Sequence, residues 1–117
     1  VLEGVTHAVR DSYDALNSTG TRLKRWIAVG GGSKSDYWVQ AIATSLGMPI
    51  ELPADGDFGG AFGAARLGMM AATGAGVEIA TTPQIARTID PDSSLIGAFA
   101  EAHTRYRASY GALKGLT

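Results

Sequence analysis

Apolar residues recur at helical spacing from the start of the chain: Leu2, Val5, Val9, Tyr13 and Leu16 share a face from which Glu3, Arg10, Asp11 and Asp14 are absent. This predicts a helix over about residues 2–17, stopped by Asn17-Ser18-Thr19-Gly20. Trp26 to Val29 is a short apolar run between basic residues and glycine, which predicts a buried strand. A second helix is expected over roughly 34–46, with Trp38, Ile42 and Leu46 as its apolar stripe, Gly47 just past its end and Pro49 preventing continuation. Met48 to Leu52 reads as a second strand ending at Pro53. A third helix is expected from Asp57, its N-cap, to about Thr73, with Phe58, Phe62, Ala65 and Met69 on one face. Residues 74–90 predict an irregular surface excursion with at most a short helical turn. Asp90-Pro91 then open a fourth helix carrying Leu95, Phe99, Ala102, Tyr106, Tyr110 and Leu113 and ending near Lys114-Gly115.

The third helix carries an unusual load of glycine. Each glycine in a helix interior costs about 1 kcal/mol relative to alanine, and Gly60, Gly63 and Gly68 all fall within it. Gly60, Ala64 and Gly68 stand four apart on one ridge, so a helix, strand or ligand can approach the backbone there closely. Tight packing alone accounts for such a ridge as well as a ligand does.

The order strand, helix, strand, helix, preceded by a helix, implies an α/β fold with two parallel strands joined by a right-handed crossover. Two strands are too few for a parallel sheet covered on both faces, so the chain is expected to be incomplete as an isolated domain and to expose apolar surface. It begins at Val1, inside the first predicted helix, and is read as the carboxy-terminal piece of a larger protein.

Composition narrows the function. At 117 residues and 45% hydrophobic content the chain suits one globular unit. Ten basic and eleven acidic residues give a formal charge of −1 without a basic run, which argues against nucleic acid as a partner. There is no cysteine, which removes thiolate metal sites and cysteine catalysis and suits a reducing compartment, the cytoplasm. No apolar stretch reaches the ~18 residues that span a bilayer, and no signal-like leader is evident.

The candidate chemistry lies in Arg25-Trp-Ile-Ala-Val-Gly-Gly-Gly-Ser-Lys-Ser-Asp-Tyr-Trp38, read as strand, tight turn and helix. Backbone N–H groups that open a helix lack internal partners and favour anions. Gly30, Gly31 and Gly32 let a ligand approach the backbone and permit positive φ. Ser33 fits an N-cap, with Asp36 completing an S-x-x-D capping box or facing a ligand instead. A Walker A loop is excluded, because no glycine stands directly before Lys34-Ser35 and the four-residue spacer is missing. A dinucleotide fingerprint would use Gly30 and Gly32 but meets Ser35 at its third glycine; Glu51 stands near the expected acidic position.

Three blocks together resemble the carboxy-terminal part of the FGGY carbohydrate kinases, members of the actin-like, ribonuclease-H-like ATPases. They are Val1-Leu-Glu-Gly-Val-Thr-His-Ala-Val-Arg-Asp-Ser-Tyr-Asp14, Val29-Gly-Gly-Gly-Ser-Lys-Ser-Asp-Tyr-Trp38 and Asp57-Phe-Gly-Gly-Ala-Phe-Gly-Ala-Ala-Arg-Leu67, joined by a similar ending at Tyr106-Arg-Ala-Ser-Tyr-Gly-Ala-Leu-Lys114. The resemblance implies ATP-dependent transfer of the γ-phosphoryl group to a sugar hydroxyl, with magnesium (Mg2+) at the phosphates and a pentulose, D-xylulose going to D-xylulose 5-phosphate, as substrate. It also implies that the turn formed by Gly30, Gly31, Gly32 and Ser33 meets the adenosine side of ATP and that Asp36 stands near the adenine. The catalytic base and the sugar contacts are expected upstream of this chain, so no catalytic residue is assigned to it. Where many relatives carry glutamate this chain has Phe58, and no carboxylate contact carries over there.

Other residues have simpler roles. His7 and His103 are taken as isolated helix histidines rather than metal ligands, Asp55 and Asp57 as turn and capping residues, and Lys34 as a solvent-facing lysine. Trp38, Tyr106 and Tyr110 are read as core or interface aromatics. Two other functions stay open on the residues: a dinucleotide-binding oxidoreductase, from Gly30, Gly32 and Glu51, and a non-catalytic interaction module built on the glycine ridge and the aromatic last helix. Apolar surface left by an incomplete sheet also makes a homodimer an expected form.

Overall fold

A computed structural model describes residues 1–54 and 59–116. Among the described residues there are four helices: α1 (Leu2–Ser18), α2 (Asp36–Leu46), α3 (Gly60–Thr73) and α4 (Ile96–Leu113). Two strands, β1 (Ile50–Pro53) and β2 (Ile85–Ile89), make the sheet. Short 3-10 turns occupy Gly31–Lys34, Val77–Ile79 and Lys114–Leu116.

The end of α2 is built as its sequence predicts. Gly47 takes the left-handed conformation at φ 67°, and the Met48 N–H donates to the Ala43 carbonyl at 3.1 Å, closing the last turn and releasing the chain into β1. Arg10 of α1 adds a cation at the same end by donating to the Ser45 carbonyl, while its Nε holds Asp14 at 3.0 Å. This ties α1 across the C-terminus of α2.

The predicted parallel relation survives as a single bridge. Ile27 pairs with Glu51 in parallel through Ala28 N–H to Glu51 O at 3.0 Å and Glu51 N–H to Trp26 O at 2.8 Å. Residues 26–29 do not extend into a full strand, because at Gly30 the chain turns away at φ 86°. β1 finds its longer partnership on the other side, antiparallel to β2, with Ile50 opposite Ile89, Glu51 opposite Thr88 and Leu52 opposite Arg87. A bulge after Leu52 sets Pro53 opposite Ile85.

β2 corrects the expectation of an irregular excursion over 74–90. Its burial is confined to its two end isoleucines, which are only partly covered, so it carries little of the alternation by which a strand is recognised. Helix α4 also starts later than Asp90-Pro91: Asp92 makes a side-chain turn, its Oδ1 accepting from Ser94 N–H at 3.0 Å and Ser94 Oγ at 2.6 Å. The start expected for α3 at Asp57, like Asp55 and Phe58, lies outside the described residues; within them Gly59 caps the helix.

Val39 and Ala43 of α2 pack on Ile50 and Leu52 of β1, with Trp26, Ala28, Ile42 and Ile89 around them. Thr44, buried beside this cluster, donates to the Gln40 carbonyl at 2.7 Å and accepts from the Asp92 N–H at 3.0 Å, which fastens the approach to α4 onto α2. Helix α3 stands outside. None of its described residues is buried, and a Cβ at Gly60, Gly63 or Gly68 would meet nothing within 4 Å, so the close approach expected at its ridge is not made among the described residues.

The overall dimensions agree with a thin core. The radius of gyration is 17.3 Å, against about 13 Å for a compact domain of this length. The accessible surface is 7727 Å², against roughly 6,000 Å² for a self-contained protein of this mass.

Candidate functional site

The triple glycine forms an exposed corner between the Trp26–Val29 segment and α2. Its three glycines have different physical reasons. Gly30 combines φ 86° with ψ −179°, a region that residues with a Cβ essentially do not enter. A Cβ on Gly32 would lie 2.6 Å from Cζ3 of Trp38, so Gly32 is small because the indole edge stands where a side chain would begin. At Gly31 a Cβ would meet open space, so packing within this chain does not call for glycine there.

The cap is displaced from its expected position. Gly31–Lys34 form a separate 3-10 turn, so α2 begins later and Ser35, not Ser33, is its N-cap, accepting from the Trp38 N–H at 3.3 Å. Ser33 instead donates twice to the Gly30 carbonyl, from its N–H at 3.1 Å and its Oγ at 2.7 Å. In a 3-10 turn the first N–H groups have no internal acceptor. That leaves the amides of Gly31 and Gly32, both exposed, without an acceptor among the described residues, while the Ser33 amide is engaged.

Asp36 sits in the first turn of α2 and is gripped by Arg87 of β2. Nη1 donates to Oδ2 at 2.9 Å and Nη2 donates to Oδ1, a two-pronged geometry characteristic of arginine and carboxylate. These hydrogen bonds lower the Asp36 carboxyl below its ordinary range. The capping-box role predicted for Asp36 is thereby replaced by an ion pair between elements 51 residues apart. Sequence reasoning did not find Arg87, because it falls in the segment expected to be irregular.

Glu51, the acidic residue of the dinucleotide alternative, accepts from Arg25 Nε at 2.9 Å. Lys34 is exposed, as expected. His7 and His103 are not isolated: their rings are 5.8 Å apart, with Tyr106 5.5 Å and Phe99 6.2 Å from His7. His103 Nε2 lies 2.8 Å from Asp11 Oδ1. Helical spacing within α1 and within α4 could not show that the two histidines meet.

A cavity of about 290 Å³ lies between α1, α2 and α4, bordered by His7, Tyr37, Thr44, Asp92 and Phe99. None of Gly30, Gly31, Gly32, Ser33 and Asp36 lines it. Among the described residues, Asp11, Asp14 and His103 are the group of metal-type donors, within 4.8 Å of one another. They belong to α1 and α4 rather than the turn. At the turn the carboxylate of Asp36 is engaged by Arg87, so these residues do not fit magnesium, which needs an octahedral set of oxygen ligands. Among the described residues no helix is long and apolar enough to cross a membrane.

The glycine corner leads into α2, whose first turn is tied to β2 through Arg87 and Asp36. Residues 1–72 match the C-terminal domain of the FGGY family of carbohydrate kinases, and the chain belongs to that family. The chain is 33% identical over 112 residues to the xylulose kinase of Escherichia coli K12, covering 94% of this chain and 23% of that protein. The crystal structure of a xyloylose kinase from Brucella ovis superposes with a TM-score of 0.87 at 57% identity, over 99% of this chain and 25% of that one. The xylulose kinase structure from Rhodospirillum rubrum gives 0.79 at 26% identity, over 98% and 24% respectively. The chain thus spans about a quarter of the length of these relatives. Family membership, with Glu51 committed to Arg25, turns the dinucleotide alternative aside.

Proposed function

We propose that this chain is the nucleotide side of an ATP-dependent sugar kinase whose substrate is a pentulose, D-xylulose. The observation that carries this is the corner at which Gly31 and Gly32 are exposed and their amides have no acceptor among the described residues, in a chain of the FGGY carbohydrate kinase family. Those amides would donate to the adenosine and α-phosphate side of ATP, and Asp36 would stand near the adenine. In the reaction a sugar oxygen bonds to the γ-phosphorus, the bond to the β,γ-bridging oxygen breaks, and ADP leaves. The hydroxyl proton goes to a carboxylate supplied by polypeptide upstream. Chemistry of this class is mainly positioning and charge stabilisation, and this chain's share is to hold one end of the nucleotide. Since its residues offer no ligand set for magnesium at the turn, no step is assigned to that ion here.

The same reading accounts for the excess surface. Upstream kinase polypeptide would complete the sheet and cover α3, offsetting the helix cost of its glycines.

Gly32→Val in the full-length kinase tests the proposal. The new side chain must displace the Trp38 ring and distort the corner, so the KM for ATP is expected to rise about tenfold or more, as misplacement of a binding element does. The KM for D-xylulose should stay within twofold, as expected for a substrate held elsewhere. An unchanged KM for ATP in a folded variant would overturn the assignment.

A further inference from the structure

The glycine corner is braced from two directions. On one side the Trp26–Ala28 backbone is hydrogen-bonded to Glu51 of β1. On the other, the Ser35 N–H donates to the Gly32 carbonyl at 3.2 Å, and Asp36, the next residue, is held by Arg87. Arg87 stands directly opposite Leu52 in the β1–β2 register. Directly opposite residues of an antiparallel pair project to the same face, and Leu52 projects into the core that β1 makes with α2. Arg87 can therefore cross the edge of that core to the first turn of α2. The circuit closes: corner, β1, β2, Arg87, Asp36, corner.

We infer that Arg87 is a positioning residue for the nucleotide site, acting through Asp36 to fix the start of α2 relative to the glycine corner. The inference rests on the proposed nucleotide role of that corner. The guanidinium suits this task because its planar fork engages both carboxylate oxygens and so fixes orientation as well as distance. An ammonium at the same place would keep the charge and lose the second prong. β2 thereby acquires a function beyond pairing: it carries the side chain that connects the sheet to the helix start.

The test uses the full-length kinase and steady-state kinetics in both substrates. Arg87→Ala is expected to raise the KM for ATP about three- to tenfold, within the lower part of the range of coupling between contacting residues. The KM for D-xylulose and kcat should stay within twofold, and Arg87→Lys should give an intermediate value. If Arg87 acts through Asp36, then Arg87→Ala placed on Asp36→Asn produces no further increase. Both side chains are more than half exposed, so these variants should fold; a thermal melt run alongside confirms it. An unchanged KM for ATP in Arg87→Ala overturns the inference, as does an equal rise in both KM values or a full additional loss in the double variant. The Gly32→Val kinase separates the two levels. If Gly32→Val leaves ATP binding intact, the nucleotide assignment itself fails; if it raises the KM for ATP while Arg87→Ala does not, only the role of Arg87 fails.

Discussion

Neighbouring residues of one motif answer to different physical demands. Gly30 is required by its backbone angles and Gly32 by the Trp38 ring, whereas Gly31 is free of both. Its smallness agrees with a ligand, not a side chain, as the neighbour. His7 shows the reverse, a residue that attracted no function but is chemically exposed to pH. It is 5% exposed, its Nδ1 is buried without a hydrogen-bond partner among the described residues, and its pKa is lowered from 6.5. Burial is the largest cause, followed by His103 and opposed by Glu3 and Asp11, with Arg105 adding to the lowering. The folded state therefore binds this proton less readily than the unfolded chain. Its contribution is complete above pH 6.5 and is lost as pH falls through the lowered folded value. In thermal or chemical denaturation, wild type should lose stability relative to His7→Phe between pH 7 and 5, by at most about 1.4 kcal/mol per pH unit for one proton. A stability difference that does not change with pH would refute this role for burial.

At the scale of elements, legibility followed burial. α1, α2 and β1 were readable because each has a repeating apolar face or a decisive terminator: Leu46-Gly47-Met48-Pro49 alone specifies the end of a helix and the entry to a strand. β2 was not, since Ala86, Arg87 and Thr88 are all exposed and nothing in their order distinguishes an edge strand from a loop. The candidate site was legible in the same uneven way. The glycine corner stood out as a local pattern, but the Ser35 cap depends on where a 3-10 turn ends, and the Arg87–Asp36 pair depends on a strand register that no local window contains. The unequal burial of the two strands has an energetic consequence. Leu52 is 5% exposed within the core, so Leu52→Ala should cost about 2–5 kcal/mol. Thr88→Ala, on the exposed middle of β2, should stay within about 0.5 kcal/mol. Chemical denaturation of the two variants checks this, and equal losses would contradict the packing described.

At the scale of the molecule, length does not translate into a core of matching size. A chain of 117 residues can enclose a substantial core, yet among the described residues the buried apolar set is confined to α2 and β1: Val39, Ala41, Ala43, Leu46, Ile50 and Leu52. α3 contributes nothing buried, and α4 buries only His103. The expectation of an α/β unit short of strands was sound. The details differed because β1 pairs with a late, antiparallel edge strand as well as with the Trp26–Ala28 segment. Such a unit presents its glycine corner at the margin of its core, where a ligand can be shared with polypeptide packed alongside. The most direct measurement is a crystal structure of the full-length kinase with a non-hydrolysable ATP analogue. The account predicts an oxygen or ring nitrogen of the nucleotide about 3 Å from the amide nitrogen of Gly31 or Gly32; a fully ordered nucleotide bound elsewhere, with both amides left to solvent, would contradict it.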